Sequence, residues 1–446
     1  MPSDYPLDTV SVTHTAEQEE RFGQPSPFNY WETALDLGFP AALWRLPNRQ
    51  EKHLIVSFDE KLPRVTADLD ELPAGFLISP FENLGNDAPV EAPLSDHLNR
   101  SERPTQTLFL RADIQATFLE SGLIASSSTG LPSLLGELAE RFVNTLTHRP
   151  KQTMPPQTAA SSFTILTDFA AQKQYEQSVV DAVEAIQRGE IRKVVLSRQK
   201  QVQFADAPDA VVLFDKLCRK YPTAFVSAVS LPEWGQIWIS ATPERLVSVD
   251  ADGIFQTMSL AGTQSAFNPD GTTKRPAHAM WSQKEIEEQA LVSRYIIECF
   301  KKIRLREYLE EGPKTIIAGN LMHLGTCFTI DTQAVRYPQL GTVMLRLLHP
   351  TSAVCGTPRD AAFTFIRQHE NYDRELYSGF LGPVNISTHP EGPASNLFVH
   401  IRCMKLEGRV ATLYAGAGIT EDSEPEREWQ ETELKCQTLL SVINDE

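Results

Sequence analysis

Residues Glu421–Asn444 read EDSEPEREWQETELKCQTLLSVIN, a stretch in which a short proline-containing loop leads into a helix. Glu428 and Glu431 are three residues apart, so they occupy neighbouring positions on one face of that helix. Glu431 also stands at the head of an apolar stripe that runs to the end of the helix. Its carboxylate is therefore predicted to point toward the buried side.

A second helix, predicted from Lys284 to about Lys302, repeats this arrangement with Glu285 and Glu288. Carboxylates aligned with an apolar stripe must be paired or must bind a cation, because burying a bare charge is too costly. Two such helices facing each other would form an oxygen-rich cage suited to Mg²⁺. The spacing alone, however, favours a simpler interpretation, in which both are solvated faces of an acidic protein.

Composition restricts the class of protein. The chain has 446 residues, 41% hydrophobic and 22% charged, with a formal net charge of −17. Nucleic acids and anionic membranes select basic surfaces, so neither is an expected partner. The six cysteines show no metal-ligand spacing, and there is neither a signal segment nor an apolar run long enough to span a membrane. We expect a cytoplasmic protein with free thiols.

Strand-like runs mixed with amphipathic helices predict one large α+β domain with mostly antiparallel sheets. Residues 1–28 are expected to be a loosely ordered tail, 29–152 a scaffold part of the same domain, and 163–446 the catalytic part. The predicted strands that matter below are Ala41–Arg45, Thr107–Arg111, Ile191–Phe204, Tyr377–Val384 and Leu397–Leu406.

Two residues are candidates for acid–base chemistry. Lys193 has apolar neighbours on the predicted strand, and because burial disfavours a charged lysine it is a candidate base. The alternative, favoured for one isolated position, is a lysine that extends to solvent. Glu244 follows a proline at a strand junction and is a candidate general acid if it is buried. Its alternative role is a salt bridge with Arg245 or another basic residue.

Small residues in Ala261–Thr263 and Ala415–Gly418 predict turns after strands, where backbone N–H groups could approach an anion. His323, Tyr377 and Arg402 are polar residues inside otherwise apolar predicted strands. An arginine in an interior strand needs a carboxylate partner, which would be either a substrate or a structural acid.

These segments occur in the order found in the chorismate-utilising enzymes, and the chain is identified as resembling that family. The family includes isochorismate, salicylate, anthranilate and aminodeoxychorismate synthases. The resemblance is dense over residues 163–446 and rests on the Glu288 helix together with KVVLSR, ATPERL, LAGT, LMHL, LLHPTSAVCGTP, YDRELYSGFLG, IRC, YAGAGI and EPEREWQETELK.

The resemblance implies a single domain with two antiparallel sheets packed face to face and helices outside, the fold of anthranilate synthase component I. It also reverses the interpretation of solvated faces, since it implies Mg²⁺ between Glu288 and Glu431, with Glu285 and Glu428 behind them. The ligand-binding residues that it implies are Gly262 and Thr263 for the ring carboxylate, His323 beside the ring, and Tyr377, Arg402, Gly416 and Gly418 for the pyruvyl carboxylate.

The resemblance also favours one member of the family. Aminodeoxychorismate synthases carry a nucleophilic lysine where this chain has Ala261, and anthranilate synthases lack a lysine at position 193. Ala353 stands where the pyruvate-eliminating lyases typically carry threonine. We therefore expect an isochorismate synthase, an isomerase in which Lys193 activates water for attack at C2 of chorismate and Glu244 protonates the departing C4 hydroxyl.

Several alternatives stay open. Salicylate synthase is the nearest, and a non-catalytic chorismate-binding scaffold is the alternative from another class. Menaquinone biosynthesis is preferred to a siderophore pathway because of the long N-terminal third. We expect a monomer with no glutamine amidotransferase subunit. The chain departs from the family pattern at Gln289, where histidine is common, and at Ser259, where proline is common.

Overall fold

The fold is described from a computed structural model. The structure describes residues 25–82, 106–119, 122–128, 133–149, 162–166, 169–268, 270, 272–318, 321–388 and 392–444. Most of the tail expected at 1–28 lies outside these residues. The division into a scaffold part and a catalytic part remains a prediction.

The helices of the described residues mostly follow amphipathic stretches of the sequence. In chain order they are α1 (Pro27–Leu37), α2 (Ser133–His148), α3 (Phe169–Gln187), α4 (Ala210–Lys220), α5 (Gln283–Lys302), α6 (Leu340–Leu348), α7 (Arg359–His369) and α8 (Pro425–Ile443).

The strands are more numerous than the helices, and most are short. In chain order they are β1 (Ala41–Arg45), β2 (Lys52–Val56), β3 (Arg64–Val65), β4 (Gly75–Ser79), β5 (Thr107–Arg111), β6 (Ile114–Leu119), β7 (Gly122–Ser128), β8 (Phe163–Leu166), β9 (Lys193–Phe204), β10 (Phe225–Leu231), β11 (Gln236–Thr242), β12 (Arg245–Val249), β13 (Ile254–Ser265), β14 (Leu309–Ala318), β15 (Leu321–Asp331), β16 (Gly356–Thr357), β17 (Phe380–Val384), β18 (Ile386–Thr388), β19 (Gly392–Val399), β20 (Cys403–Glu407) and β21 (Val410–Ile419).

These strands form two antiparallel sheets. The first sheet has the order β16-β9-β21-β20-β11-β10-β1-β2-β6-β7, with β8 also paired to β9. The second has the order β14-β15-β13-β12-β19-β17-β4-β5-β3, with β18 also paired to β19. Strands from before residue 129 lengthen both sheets at one end, so this segment and the rest of the chain share the same sheets.

The two sheets pack face to face over an aromatic core. Trp44, Phe76, Trp238 and Phe398 belong to the cluster between them, and the rings of Phe225 and Phe398 stack with their centroids 4.2 Å apart. Helices α1, α2, α4 and α8 cover the outer face of the first sheet. Helices α5 and α6 cover the outer face of the second. The predicted fold class is confirmed.

Several predicted elements are corrected. The run Leu397–Leu406 was predicted as one strand but contains the end of β19 and the start of β20, which belong to different sheets. The prediction failed because both strands are buried, so the apolar pattern continues across the crossing. Tyr377 precedes its strand, lying in a turn. The Gly262 and Gly416 segments lie inside β13 and β21 rather than in turns after them.

Two further findings concern membrane spans and cysteines. Among the described residues, no helix is both long enough and apolar enough to cross a membrane. All six cysteines are free, and five of them are buried.

Candidate active site

Two of the points at which the chain crosses between the sheets lie next to each other. Glu244 lies where β11 of the first sheet passes into β12 of the second, and Arg402 lies just before the chain re-enters the first sheet as β20. The two crossings are hydrogen-bonded together, because Val399 N donates to Glu244 O at 2.9 Å and Ala241 N donates to Arg402 O at 3.0 Å. Arg402 has φ 50°, in the left-handed region. The crossings therefore hold an acid and a cation beside each other.

A cavity opens at these crossings, enclosing about 650 Å³ up to its mouth. Most of the predicted site residues line it, including the glycine backbones from β13 and β21. The predicted residues found in its wall are Glu244, Gly262, Thr263, Glu288, His323, Tyr377, Arg402, Gly416, Gly418 and Glu431.

Lys193 lies directly behind this wall at the start of β9. Its side chain is fully buried, so it does not extend to solvent as the alternative interpretation held. Nζ donates a hydrogen bond to Glu288 Oε1 at 2.7 Å. Gly418 leaves room for this contact, since a Cβ atom there would lie 2.5 Å from Glu288 Oε1 and 2.9 Å from Lys193 Cε, so one of these side chains would have to move.

The predicted metal-binding carboxylates Glu288 and Glu431 come from α5 and α8, and each is paired with a lysine. Lys435 Nζ lies 2.7 Å from Glu431 Oε1 and donates to Gly416 O, also at 2.7 Å. Burial would raise the pKa of Glu288, but the charge of Lys193 and the hydrogen bond from it, helped by Lys435, hold that pKa below its ordinary value. Glu288 is therefore an ionised carboxylate at the cavity.

Lys435 was not among the site residues predicted from the sequence. A signal for it exists, because Lys435 follows Glu431 by four residues and so shares its helix face.

Glu285 and Glu428 are not among the lining residues of the cavity. Glu285 Oε2 accepts hydrogen bonds from the backbone and hydroxyl of Ser282 in a capping box at the start of α5. Glu428 is buried and paired with Lys284 Nζ at 2.5 Å, a contact that joins α8 to α5. Glu285 therefore caps the start of α5, and Glu428 joins α8 to α5. Their place behind the metal stays a prediction.

A bulge in β13 sets the geometry around Gly262, which has φ 67°. Its N–H points to Glu288 Oε2 at 3.4 Å, and its carbonyl accepts from His323 Nδ1 at 2.8 Å. Burial, aided by the charge of Arg402, lowers the pKa of His323 to about 3, so the ring is neutral. With Nδ1 donating, Nε2 is an acceptor at the cavity, and no described residue satisfies it.

Tyr377 and Arg402 face the same side of the cavity. The Tyr377 ring stacks on Tyr414 with centroids 5.3 Å apart. Arg402 is 7% exposed, and Nη1 donates to Thr438 Oγ1 at 3.3 Å. Within the described part of the chain, no carboxylate forms an ion pair with Arg402, and burial lowers the pKa of Arg402 although the charge of Glu431 acts on it and opposes this shift.

Glu244 is 4% exposed. It makes no ion pair with Arg245, whose guanidinium bonds Gln256 instead. Burial raises the pKa of Glu244 to about 8, although the charges of Lys193, Lys435 and Arg402 oppose the shift. At neutral pH this side chain is therefore a protonated acid facing the cavity.

The donor set is compatible with Mg²⁺ when a ligand completes the coordination. The described residues contain no cluster of three acidic, histidine or cysteine side chains that would hold a metal by themselves. Magnesium commonly binds through one or two carboxylates and takes its other oxygens from water and substrate. Glu288 and Glu431 fit this description, with lysine ammonium groups beside both in the structure.

Residues 104–444 match the sequence profile of the chorismate binding enzymes. The chain belongs to this family. It is 32% identical over 274 residues to the isochorismate synthase EntC of Escherichia coli, a match that covers 61% of this chain and 67% of the relative. Against the isochorismate synthase MenF of Escherichia coli the identity is 30% over 275 residues, covering 61% of this chain and 60% of that protein.

Solved structures have the same fold. The menaquinone-specific isochorismate synthase MenF from Escherichia coli superposes with a TM-score of 0.69 at 21% identity, covering 98% of this chain and 95% of that one. Anthranilate synthase component I from Streptococcus pneumoniae gives a TM-score of 0.62 at 17% identity, covering 98% and 93%. The resemblance inferred from the sequence motifs is confirmed.

The raised pKa of Glu244 predicts how stability depends on pH. The carboxyl ionises near pH 4.5 in the unfolded chain and near 8 in the folded one, so between these values the folded state holds the extra proton. Its contribution is fully present below about pH 4.5 and is lost as the pH rises through about 8, by up to about 1.4 kcal/mol per pH unit. Because glutamine cannot ionise, Glu244→Gln should gain stability relative to wild type from pH 5 to 8.

Urea unfolding at several pH values measures this difference, with the exposed Glu233→Gln as the matched control. A Glu244→Gln difference that stays constant between pH 5 and 8 would contradict the assignment of a neutral, buried acid.

Proposed function

We propose that this chain is an isochorismate synthase, a Mg²⁺-dependent isomerase that interconverts chorismate and isochorismate. The proposal rests mainly on one observation: a buried lysine and a protonated glutamic acid meet at one cavity. The same cavity offers two carboxylates for a cation and the guanidinium of Arg402 for an anion. A family member with these groups is equipped to exchange one hydroxyl for another on a dianionic ring.

We assign the two carboxylates of the substrate to two sides of the cavity. Arg402 and the Tyr377 hydroxyl would hold the pyruvyl carboxylate, with the backbone of Gly416 and Gly418 beside it. The unpartnered Nε2 of His323 would accept a hydrogen bond from a hydroxyl of the ligand. Mg²⁺ bound to Glu288 and Glu431 would neutralise the ring carboxylate and fix the ring between base and acid.

In the proposed reaction, Lys193 removes a proton from the water whose oxygen bonds to C2. The ring double bonds shift, the bond between C4 and its oxygen breaks, and Glu244 gives its proton to the departing hydroxyl. One water enters and one leaves, so the reaction is a reversible isomerisation. Lys193 is the ammonium partner of Glu288 in the structure, so its amine can accept a proton from water only after it has lost one of its own.

Salicylate synthase is the alternative within the enzyme class. Ala353 lines the cavity, at the position where the pyruvate-eliminating lyases typically carry threonine. An alanine methyl group can neither donate nor accept a hydrogen bond, so this position offers no group for a second proton transfer. This supports a reaction that stops at isochorismate.

Purified protein incubated with chorismate and Mg²⁺, without an ammonia source, should form isochorismate alone, as judged by chromatography. Chelation should abolish turnover. Lys193→Ala and Glu244→Gln should each lose about 10²–10⁴-fold in kcat, because each removes one proton-transfer partner. Salicylate and pyruvate in equal amounts would contradict the proposal in favour of the alternative. Failure of the wild-type protein to turn over would favour a non-catalytic scaffold.

We also propose that the isochorismate feeds menaquinone biosynthesis, with siderophore biosynthesis as the alternative. The preference rests on the length of the N-terminal part alone, because anthranilate synthase component I covers 98% of this chain just as the menaquinone-specific enzyme does. The chain should restore menaquinone to a bacterial strain that lacks its own enzyme for this step. If the chain instead restored only siderophore synthesis, in a strain that lacks the siderophore-specific enzyme, this assignment would be contradicted.

A further inference from the structure

A buried polar cluster lies behind Glu288, on the side away from the cavity. Its centre is Gln289, the residue after Glu288 on α5, which is 2% exposed. Gln289 Nε2 donates to Ser259 Oγ at 2.8 Å and to Thr326 Oγ1 at 3.1 Å. Ser293, one turn further along α5, closes the cluster through a hydrogen bond of 2.8 Å between its Oγ and that of Ser259.

The cluster joins the three elements that carry one wall of the site. Ser259 and Thr326 are direct register partners on β13 and β15, so their hydroxyls emerge side by side toward α5. Gly262 lies three residues after Ser259 on the same strand, and His323 lies three residues before Thr326. One amide therefore links the helix that carries Glu288 to both strands that carry its neighbours.

The geometry of a helix explains why this link matters for Glu288. Successive side chains are about 100° apart around a helix of 3.6 residues per turn, so fixing Gln289 on the sheet also fixes the rotation of α5 about its axis. Glu288 needs that rotation, because its two oxygens lie 2.7 Å from Lys193 Nζ and 3.4 Å from Gly262 N. A small roll of the helix would break both contacts.

We propose that Gln289, through Ser259 and Thr326, is the positioning residue that sets the place of Glu288 in the cation site. This inference rests on the proposed function, because it assigns Glu288 to a cation. Gln289 touches no substrate and acts only through the helix. Residues that support a metal ligand in this way typically change metal affinity or activity by about 10–100-fold when they are replaced.

The test measures Mn²⁺ binding by calorimetry, with thermal unfolding and kcat and KM for chorismate recorded on the same samples. Gln289→Met keeps the length of the side chain and removes its hydrogen bonds. Val292→Ala is the matched control, since Val292 is buried on the same helix, 2% exposed, and its truncation removes packing from α5 but none of the hydrogen bonds of the cluster. Glu288→Gln removes a proposed metal ligand, so its Mn²⁺ affinity shows how much binding is lost when the site itself is damaged.

Gln289→Met should weaken Mn²⁺ binding about 10–100-fold, whereas Val292→Ala should stay within about twofold of wild type. The milder Ser259→Ala should weaken binding in the same direction, and adding it to Gln289→Met should cause little further loss, because both remove the same hydrogen bond. Unchanged affinity in both Gln289→Met and Ser259→Ala, or an equal loss in Val292→Ala, would overturn the proposal.

The outcomes also separate this inference from the proposed function. Wild-type protein that binds Mn²⁺ but makes no isochorismate would contradict the function, and the comparison of affinities would still decide the role of Gln289. Wild-type protein that neither binds Mn²⁺ nor needs it to turn over chorismate would contradict both.

Discussion

The buried ion pair between Lys193 and Glu288 is the constraint on which the rest of the structure depends. The lysine begins a strand of the first sheet, and its partner comes from a helix on the second sheet. Removing two charges from water is tolerated only when they meet at good geometry, and such pairs add little stability compared with apolar residues. The sheets, the glycine at position 418 and the cluster around Gln289 all serve to keep this one contact in place. Its presence is better explained by chemistry than by stability.

The sheet crossings supply the rest of the charge balance. The chain carries a net charge of −17, yet Arg402, Lys193 and Lys435 all lie at or directly behind one cavity. Glu288 and Glu431 are ion-paired with the two lysines, so Arg402 supplies the positive charge that can attract an anionic ligand to this cavity. Glu244 enters this environment uncharged, because burial outweighs the neighbouring cations in setting its pKa. The candidate acid therefore keeps its proton at this cavity, close to Lys193, which we propose as the base.

The sequence predicted the fold and most of the cavity wall, for reasons that differ between residues. Helical spacing aligned Glu288 and Glu431 with apolar stripes, but spacing alone favoured solvated faces, and only the family resemblance implied a site there. The pairing of Glu288 with Lys193 spans 95 residues, and no local pattern reports such a contact. Arg402 was placed inside a strand, since an apolar run gives no sign of where a buried chain changes sheets. The helix Ala210–Lys220 was missed although Asp209 caps its first turn.

The source of the new hydroxyl group tests the central claim most directly. If Lys193 delivers water to C2 while Glu244 releases the C4 hydroxyl, isochorismate formed in ¹⁸O-labelled water should carry one heavy oxygen, located at C2 by mass spectrometry. The chorismate that re-forms at equilibrium should gain the label at C4. Isochorismate that forms without label would mean that the hydroxyl migrates within the molecule, and the assigned roles of base and acid would then be wrong.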